Sequence, residues 1–241
     1  MKLKSFKYNV LAFAILSVIC IGLVVSSTIK NNNIKHNSKI AANNKTDIEF
    51  NKRKEVKKQQ LRDAAVKKEI QFKKEQNDLE KMWKIGYDQF FRKEYSQAIE
   101  TERKVIKEDP NFYKAYSIEG ISLAYNGDFI KGMVQIDKSL KLNPNYGYGR
   151  FNKALANELF GHYDEAIKWY KKAIEVEKFE WSYYGIASIY GRYGDVTNSI
   201  KYLKLAIDIN PKVKDVAKNE VDFDNVRKSE EFKKLMISIV D

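Results

Sequence analysis

The sequence has few of the residues from which catalytic and metal-binding sites are built. It contains one cysteine, Cys20, and two histidines, His36 and His162, among 241 residues. A single cysteine excludes an intrachain disulfide framework and a multi-cysteine zinc site. Neither histidine lies near an acid–nucleophile pattern, and no glycine-rich phosphate loop is present. The sequence therefore predicts a protein that is not an enzyme and that holds no cofactor.

Proline and glycine are also scarce, and positive charge is confined to one end. Three prolines, eleven glycines and 44% hydrophobic residues indicate a helical, folded protein. Residues 1–80 carry 17 basic and 8 acidic side chains, whereas residues 81–241 carry 27 and 24. A nucleic-acid-binding domain is expected to have a basic face on its folded part. The nearly neutral C-terminal part therefore argues against a specific nucleic-acid partner.

An uncharged apolar segment lies near the N terminus. Residues 1–7 form a short basic tail, and residues 8–29 contain no charged side chain. About 20 helical residues cross a hydrocarbon core of about 30 Å, so residues 8–29 are predicted to be a transmembrane signal anchor. A cytoplasmic tail would make this a single-pass cell-membrane protein with its bulk outside the cytoplasm. Cleavage near Ser27, giving a secreted protein, and acylation at Cys20 are alternatives.

Two polar segments follow the apolar one. Residues 30–47 are rich in asparagine and lack periodicity, which predicts a flexible linker. Residues 48–78 are rich in lysine, glutamate and glutamine without glycine or proline, which predicts a charged helical stalk. The apolar residues of the stalk form no clean heptad, which argues against a coiled coil. A coiled-coil dimer is nevertheless kept as an alternative. Its lysines could also lie against anionic lipid headgroups.

Residues 79–211 repeat at an interval of 34, with one interval of 33. Small residues recur on three tracks: Gly86, Gly120, Ala154 and Ala187; Ala98, Gly132, Ala166 and Ser199; Val105, Ser139, Ala173 and Ala206. Three units close on a proline: Pro110, Pro144 and Pro211. Small residues let two helices approach to about 8–10 Å, and proline ends a helix. The pattern predicts stacked pairs of helices.

This pattern resembles the tetratricopeptide repeat (TPR) family, on the strength of the small-residue tracks and the closing prolines. The resemblance implies an all-α solenoid of four helix-turn-helix units, residues 79–112, 113–146, 147–179 and 180–211. The array follows the stalk and the transmembrane helix. Residues 212–241 are predicted to be a cap over the last unit, with a helix that begins at Ser229.

The resemblance also implies a peptide-binding groove, because in this family the first helix of each unit lines a concave surface. The matching positions here are Trp83, Tyr87, Phe90, Tyr125, Tyr148, Phe151, Asn152, Trp181, Tyr184 and Arg192. Aromatic side chains with few charges suit an extended or helical peptide with apolar anchors. Packing between helices explains Trp83, Tyr148 and Trp181 equally well.

These features predict a membrane-anchored TPR adaptor or scaffold that binds protein or peptide segments, with no specific nucleic-acid partner. Two other functions stay open. The first is a structural role through self-association of the stalk. The second is binding of anionic lipid or nucleic acid through the basic arm, residues 30–78, whose affinity should then depend strongly on salt.

Overall fold

The computed structural model describes residues 40–237, with side chains from Lys52 onward except that of residue 53. Within this range there are ten α-helices, one short 3₁₀ turn at Val221–Phe223 and no strand. The helices are α1 Ile40–Phe91, α2 Tyr95–Glu108, α3 Tyr113–Tyr125, α4 Phe129–Leu142, α5 Gly147–Leu159, α6 Tyr163–Ile174, α7 Glu180–Arg192, α8 Val196–Ile209, α9 Val213–Ala217 and α10 Glu230–Ile237.

Helix α1 is longer than the sequence predicts. It begins at Ile40, inside the predicted linker 30–47, so that part of the linker prediction is wrong. Ala41 and Ala42 favour helix, and no glycine or proline lies between Ile40 and Gly86. Helices within residues 40–237 are either too short or too polar to cross a membrane. The predicted tail, transmembrane segment and the rest of the linker lie outside the described residues.

The chain divides into two compact units after Glu69, and the repeats lie in the second, Ile70–Asp241. Helices α3, α5 and α7 begin at the first residues of the second, third and fourth predicted units. Each packs against the helix that follows it, and α3 also packs against α5, and α5 against α7. Pairs of helices stacked in this way make an all-α solenoid.

Each turn between the two helices of a unit contains one residue with positive φ. These are Lys93 at 63°, Gly127 at 92°, Gly161 at 76° and Gly194 at 72°. Glycine adopts this conformation without strain, whereas lysine does not. Asp128 and Asp195 then cap α4 and α8 by accepting hydrogen bonds from backbone N–H groups.

The small residues of the repeat tracks lie where helices touch. Ala98, Ala154, Ala166, Ala187 and Ala206 are completely buried. Gly120 on α3 and Gly132 on α4 face each other, and a Cβ on either would lie 2.6 Å from the other's carbonyl oxygen. This distance is too short for any side chain, so the two glycines let α3 and α4 approach closely. Pro110, Pro144 and Pro211 are exposed between units.

The C-terminal segment covers the fourth unit. Phe223, Val226 and Phe232 are buried in one cluster with Leu203 and Ala206 of α8. Ser229 accepts a hydrogen bond from the backbone N–H of Phe232 at 3.2 Å and so caps α10. The apolar edge that a terminal repeat would otherwise expose is therefore buried by α9, the turn and α10.

Candidate protein-binding surface

The predicted groove residues lie on the first helix of each unit, and they fall into two groups. One group consists of half-buried aromatic residues, and the other is held by contacts inside the array. We name the half-buried aromatic residues that line these helices the aromatic strip. Its members are Trp83, Tyr87, Tyr148, Phe151, Trp181 and Tyr184. The other predicted residues are Phe90, Tyr125, Asn152 and Arg192, and each is held by contacts inside the array.

The rings of the first and third units contact one another. Tyr87 on α1 reaches Tyr148 on α5, with ring centroids 6.0 Å apart. Tyr148 stacks on Phe151 at 5.7 Å, and Phe151 meets Phe179 edge-on at 5.1 Å. Tyr87 and Tyr148 pack against the cluster that contains Ile118 and Ile121 of α3, a helix whose residues Ala115–Ala124 are all buried. The strip is thus a packed aromatic layer with one face toward the core.

Burial perturbs the phenols of this layer. It raises the pKa of Tyr148 far above the ordinary value for tyrosine, and the neighbouring Tyr87 and Tyr146 add to the shift. Burial raises the pKa of Tyr184 in the same direction. These hydroxyls therefore stay neutral throughout the physiological range, so the layer presents a partner with uncharged aromatic rings.

One ion pair closes the layer at its N-terminal end. Lys114 on α3 contacts Glu80 on α1 at 2.7 Å and lies 4.9 Å from the centre of the Trp83 ring. A cation over an indole face adds an attraction of about 0.5–1 kcal/mol at a partly exposed site. The charges of this end are therefore paired within the array.

At the other end, Trp181 and Tyr184 form a second part of the strip on α7. Their rings meet edge-on at 5.3 Å, and Tyr184 also contacts Phe223 of the cap at 5.6 Å. The cap therefore supports the strip at the fourth unit, a contact that the sequence did not predict.

Phe90 and Asn152 were predicted to line the groove, and the structure buries both. Phe90 is 8% exposed and contacts Tyr95 and Tyr125 at 5.8 and 5.4 Å. Asn152 is completely buried and donates from Nδ2 to Ser117 Oγ at 2.9 Å. Phe90 and Tyr125 thus pack near the turn of the first two units. Asn152 ties α5 to α3 and is not available to a ligand.

Arg192 was also predicted to face the groove, but it lies at the centre of a polar network. Its guanidinium contacts Asp222 at 2.7 Å and Glu158 at 3.3 Å, and donates to the Tyr163 hydroxyl at 2.8 Å. Burial lowers the pKa of Arg192, but the bonds to Asp222 and Tyr163 outweigh it, so the pKa is raised. Arg192 therefore stays charged and joins the third unit, the fourth unit and the cap.

Glu158 is the buried acid of this network. Its Oε2 accepts from the Tyr170 hydroxyl at 2.7 Å, and its Oε1 accepts from Ser188 at 3.1 Å. Burial raises the pKa of Glu158, and the bonds from Tyr170, Arg192 and Ser188 counteract this. No simple spacing signal exists for these partners, because they come from two helices, α6 and α7, that belong to different units.

Two open cavities lie away from the aromatic strip. One of about 760 Å³ is lined by Ile99, Leu123, Phe129 and their neighbours on α2, α3 and α4. The other, of about 330 Å³, is lined by Leu140, Pro144, Arg150, Trp169, Lys172 and Glu175. No residue of the strip lines either cavity. Among the described residues, no three potential metal ligands come together.

Comparisons with known proteins agree with the repeat architecture. A family model described as tetratricopeptide repeat matches residues 149–179 and 182–213. An uncharacterised protein of Methanocaldococcus jannaschii, MJ0572, is 38% identical over 72 residues, which cover 29% of this chain and 84% of that protein. The chain belongs to the tetratricopeptide repeat family.

Solved structures share the fold at low sequence identity. TTC0263, a thermophilic TPR protein of Thermus thermophilus, aligns with a TM-score of 0.53 at 18% identity, over 60% of this chain and 80% of that one. PilF of Pseudomonas aeruginosa aligns with a TM-score of 0.55 at 13% identity, over 67% and 69%. TPR proteins are generally scaffolds that bind other proteins, and residues 149–213 of this chain carry two repeats of that family.

Proposed function

We propose that the protein is a membrane-anchored TPR scaffold whose aromatic strip binds an apolar polypeptide segment of a partner protein. The observation that carries this proposal is the strip itself. Six half-buried rings lie on the first helices of three units, where a bound chain would contact several units at once. Large rings immobilised by their neighbours lose little conformational entropy on binding, which favours their use as anchors.

The charge of the repeats supports a weakly charged partner. Lys114 is paired with Glu80, and Arg192 is paired with Asp222 and Glu158. An acidic or basic peptide would find no unpaired charge at these positions. A segment with two or three apolar side chains would instead match the strip.

In-cell photo-crosslinking from defined positions tests the binding surface. A photoreactive phenylalanine analogue replaces Tyr87 or Trp181 in the full chain, and Ile130 on α4, which is 76% exposed, is the matched control. We expect discrete protein adducts from the two strip positions and none of these from Ile130. Equal adducts at all three positions, or none at the strip, would contradict the proposal.

Membrane attachment is the second part of the proposal, and its support is the uncharged segment 8–29. We expect the full chain in the carbonate-resistant membrane pellet and a chain without residues 1–29 in the soluble fraction. Protease added to intact cells should digest residues 79–241 if the bulk is extracytoplasmic. Recovery of the mature protein in the medium would instead favour cleavage near Ser27.

Self-association is a second candidate function, because α1 exposes large apolar side chains. Val56, Leu61, Val66, Ile70 and Phe72 are each about half or more exposed. Sedimentation of the full chain in detergent should show a dimer that Leu61→Lys weakens if this surface pairs. A concentration-independent monomer removes this candidate and leaves the binding proposal intact.

A further inference from the structure

At one repeat position on the second helix, each unit buries a large side chain. At the repeat interval these residues are Glu102, Ile136, Tyr170 and Leu203. All four are buried, with 0–1% of their surface exposed. Ile136 and Leu203 are apolar, and Tyr170 donates a hydrogen bond from its hydroxyl to Glu158. The first unit alone places an acid at this position.

Glu102 has no hydrogen-bond partner for either carboxylate oxygen. It faces the backbone of α1 at Gly86, where an added Cβ would overlap the carboxyl group. The indole N–H of Trp83, on the same helix as Gly86, is also buried without a partner. A buried polar group that lacks a partner costs roughly 1–3 kcal/mol, and more when charged. The junction between α1 and α2 therefore contains an uncompensated polar group.

The titratable groups around Glu102 do not neutralise it. On α3, Glu119 adds a second negative charge, and its nearby cation Arg103 pairs with it at 2.8 Å. Tyr146, which precedes α5, interacts unfavourably with the ionised carboxyl of Glu102. On α1 the residue beside this carboxyl is Gly86, which has no side chain to pair with it. Burial first, and Glu119 second, raise the pKa of Glu102 to about 10.

We propose that Glu102 makes the first unit a pH-sensitive opening segment, in which the α1–α2–α3 junction separates more readily as pH rises while the later units stay closed. The closed junction holds Glu102 protonated, and opening exposes it to water. The exposed carboxyl then ionises and releases a proton, because its pKa returns to about 4.3. An equilibrium that releases one proton shifts by up to tenfold per pH unit.

The sign of the effect follows from the two protonation states. The closed state binds one more proton than the open state at every pH between about 4.3 and the pKa of buried Glu102. The stability of the closed junction is therefore greatest below about pH 4 and falls through the neutral range. Glu158 acts less in this way, since Arg192, Tyr170 and Ser188 bind its ionised form.

The position of the unit confines the opening to one end. In a solenoid each repeat contacts only its neighbours, so a terminal unit is held by one interface with another repeat, whereas an internal unit is held by two. The fourth unit is the other terminal unit, but the cap covers it. Opening of the first unit would uncover Trp83, Phe90 and the buried face of α3. This inference concerns the stability of the unit and does not depend on the proposed peptide partner.

Hydrogen exchange measured by mass spectrometry on the full chain in detergent, from about pH 5.5 to 8.5, tests the proposal. After correction for the intrinsic exchange rate, protection in residues 95–123 should fall up to about tenfold per pH unit. Protection in α8, residues 196–209, should stay constant. Glu102→Gln keeps the shape of the side chain but removes its charge, and should abolish the pH slope.

Glu158→Gln is the matched control, since it removes another largely buried acid, one that lies outside the first unit. It should leave the slope in residues 95–123 unchanged. The proposal is overturned if the wild-type slope is absent, if α8 shows the same slope, or if Glu102→Gln retains it. Should that variant fail to fold, the wild-type comparison of the two segments alone decides the matter.

Discussion

The first and third units use the same register of small residues but treat a buried acid in opposite ways. Glu158 of the third unit contacts Tyr170 of the same unit and Ser188 and Arg192 of the fourth. In the first unit both oxygens of Glu102 have no partner. The turns differ as well, since Gly161 adopts positive φ in the third unit and Lys93 does so in the first.

This difference shows that the repeat spacing determines where helices touch but leaves the polar contacts to each unit. The partners of Glu158 come from α6 and α7 and therefore require a following unit with matching side chains. Glu102 has no equivalent set. The two units thus share a backbone arrangement but are expected to differ in local stability.

The strongest way to remove the difference is Glu102→Met, which gives the first unit an apolar residue as in the second and fourth. At neutral pH the buried acid must stay protonated, so the free energy of unfolding should rise by about 3 kcal/mol when it is removed. Chemical denaturation of the full chain measures this. Glu100→Met, at an exposed position on the same helix, should change stability little; a loss of stability in Glu102→Met would refute the prediction.

The opposite change is Arg192→Met, which leaves Asp222 and Glu158 without their cation. Breaking a well-buried pair costs about 3–5 kcal/mol. The Arg192 side chain is one-third exposed, so we expect a smaller loss of about 2 kcal/mol. Exchange protection in residues 213–237 should fall most, because Arg192 holds the cap. Arg92→Met, at an exposed ion pair, is the control. An equal loss of stability in this variant would show that the Arg192 network stabilises the protein no more than a surface ion pair does.

A smaller correction of the first unit is Lys93→Gly. The positive φ of Lys93 strains an L side chain, and glycine at this position should stabilise the unit by about 1 kcal/mol. The midpoint of thermal unfolding should rise. The reverse change, Gly161→Lys, should lower it by a similar amount; if neither moves the midpoint, the turns do not limit stability.

The smallest expected effect concerns the third unit. His162 precedes α6 and makes no capping hydrogen bond, whereas Asp128 and Asp195 cap α4 and α8 at the equivalent position. His162→Asp should add about 0.5 kcal/mol, because the new cap is partly offset by the lost contact with the Phe129 ring. Urea denaturation measures it, with His162→Asn as a neutral capping control. No gain from either would mean that the helix end is already satisfied.

The sequence predicts the helices and their register well, because the small residues that set them recur at a fixed interval. Gly86, Gly120, Ala154 and Ala187 lie at helix contacts that any single unit would leave ambiguous. The anomaly at Glu102 was also visible, since the same interval aligns it with Ile136 and Leu203. The small-residue tracks do not reveal it, because its signal is a charged residue at an otherwise apolar repeat position.

The surface was less predictable than the fold. Phe90 and Asn152 occupy first-helix positions, yet their exposure depends on which rings neighbouring units place above them. Tyr148 and Tyr87 lie on helices of different units and meet only through stacking of three units. Arg192 could not be assigned to Asp222 either, because the path of the cap after α8 has no repeat interval. Side-chain partners between non-adjacent segments leave no local periodic signal.

The facing glycines of α3 and α4 also limit how the sequence can diverge. Alanine at either glycine would place a methyl group against the carbonyl oxygen of the other residue. A change at the second site therefore cannot compensate for a change at the first. Drift should therefore be slowest at Gly120 and Gly132. Artificial arrays lengthened by copying one unit would inherit this glycine–glycine contact only if residues 113–146 were the copied block.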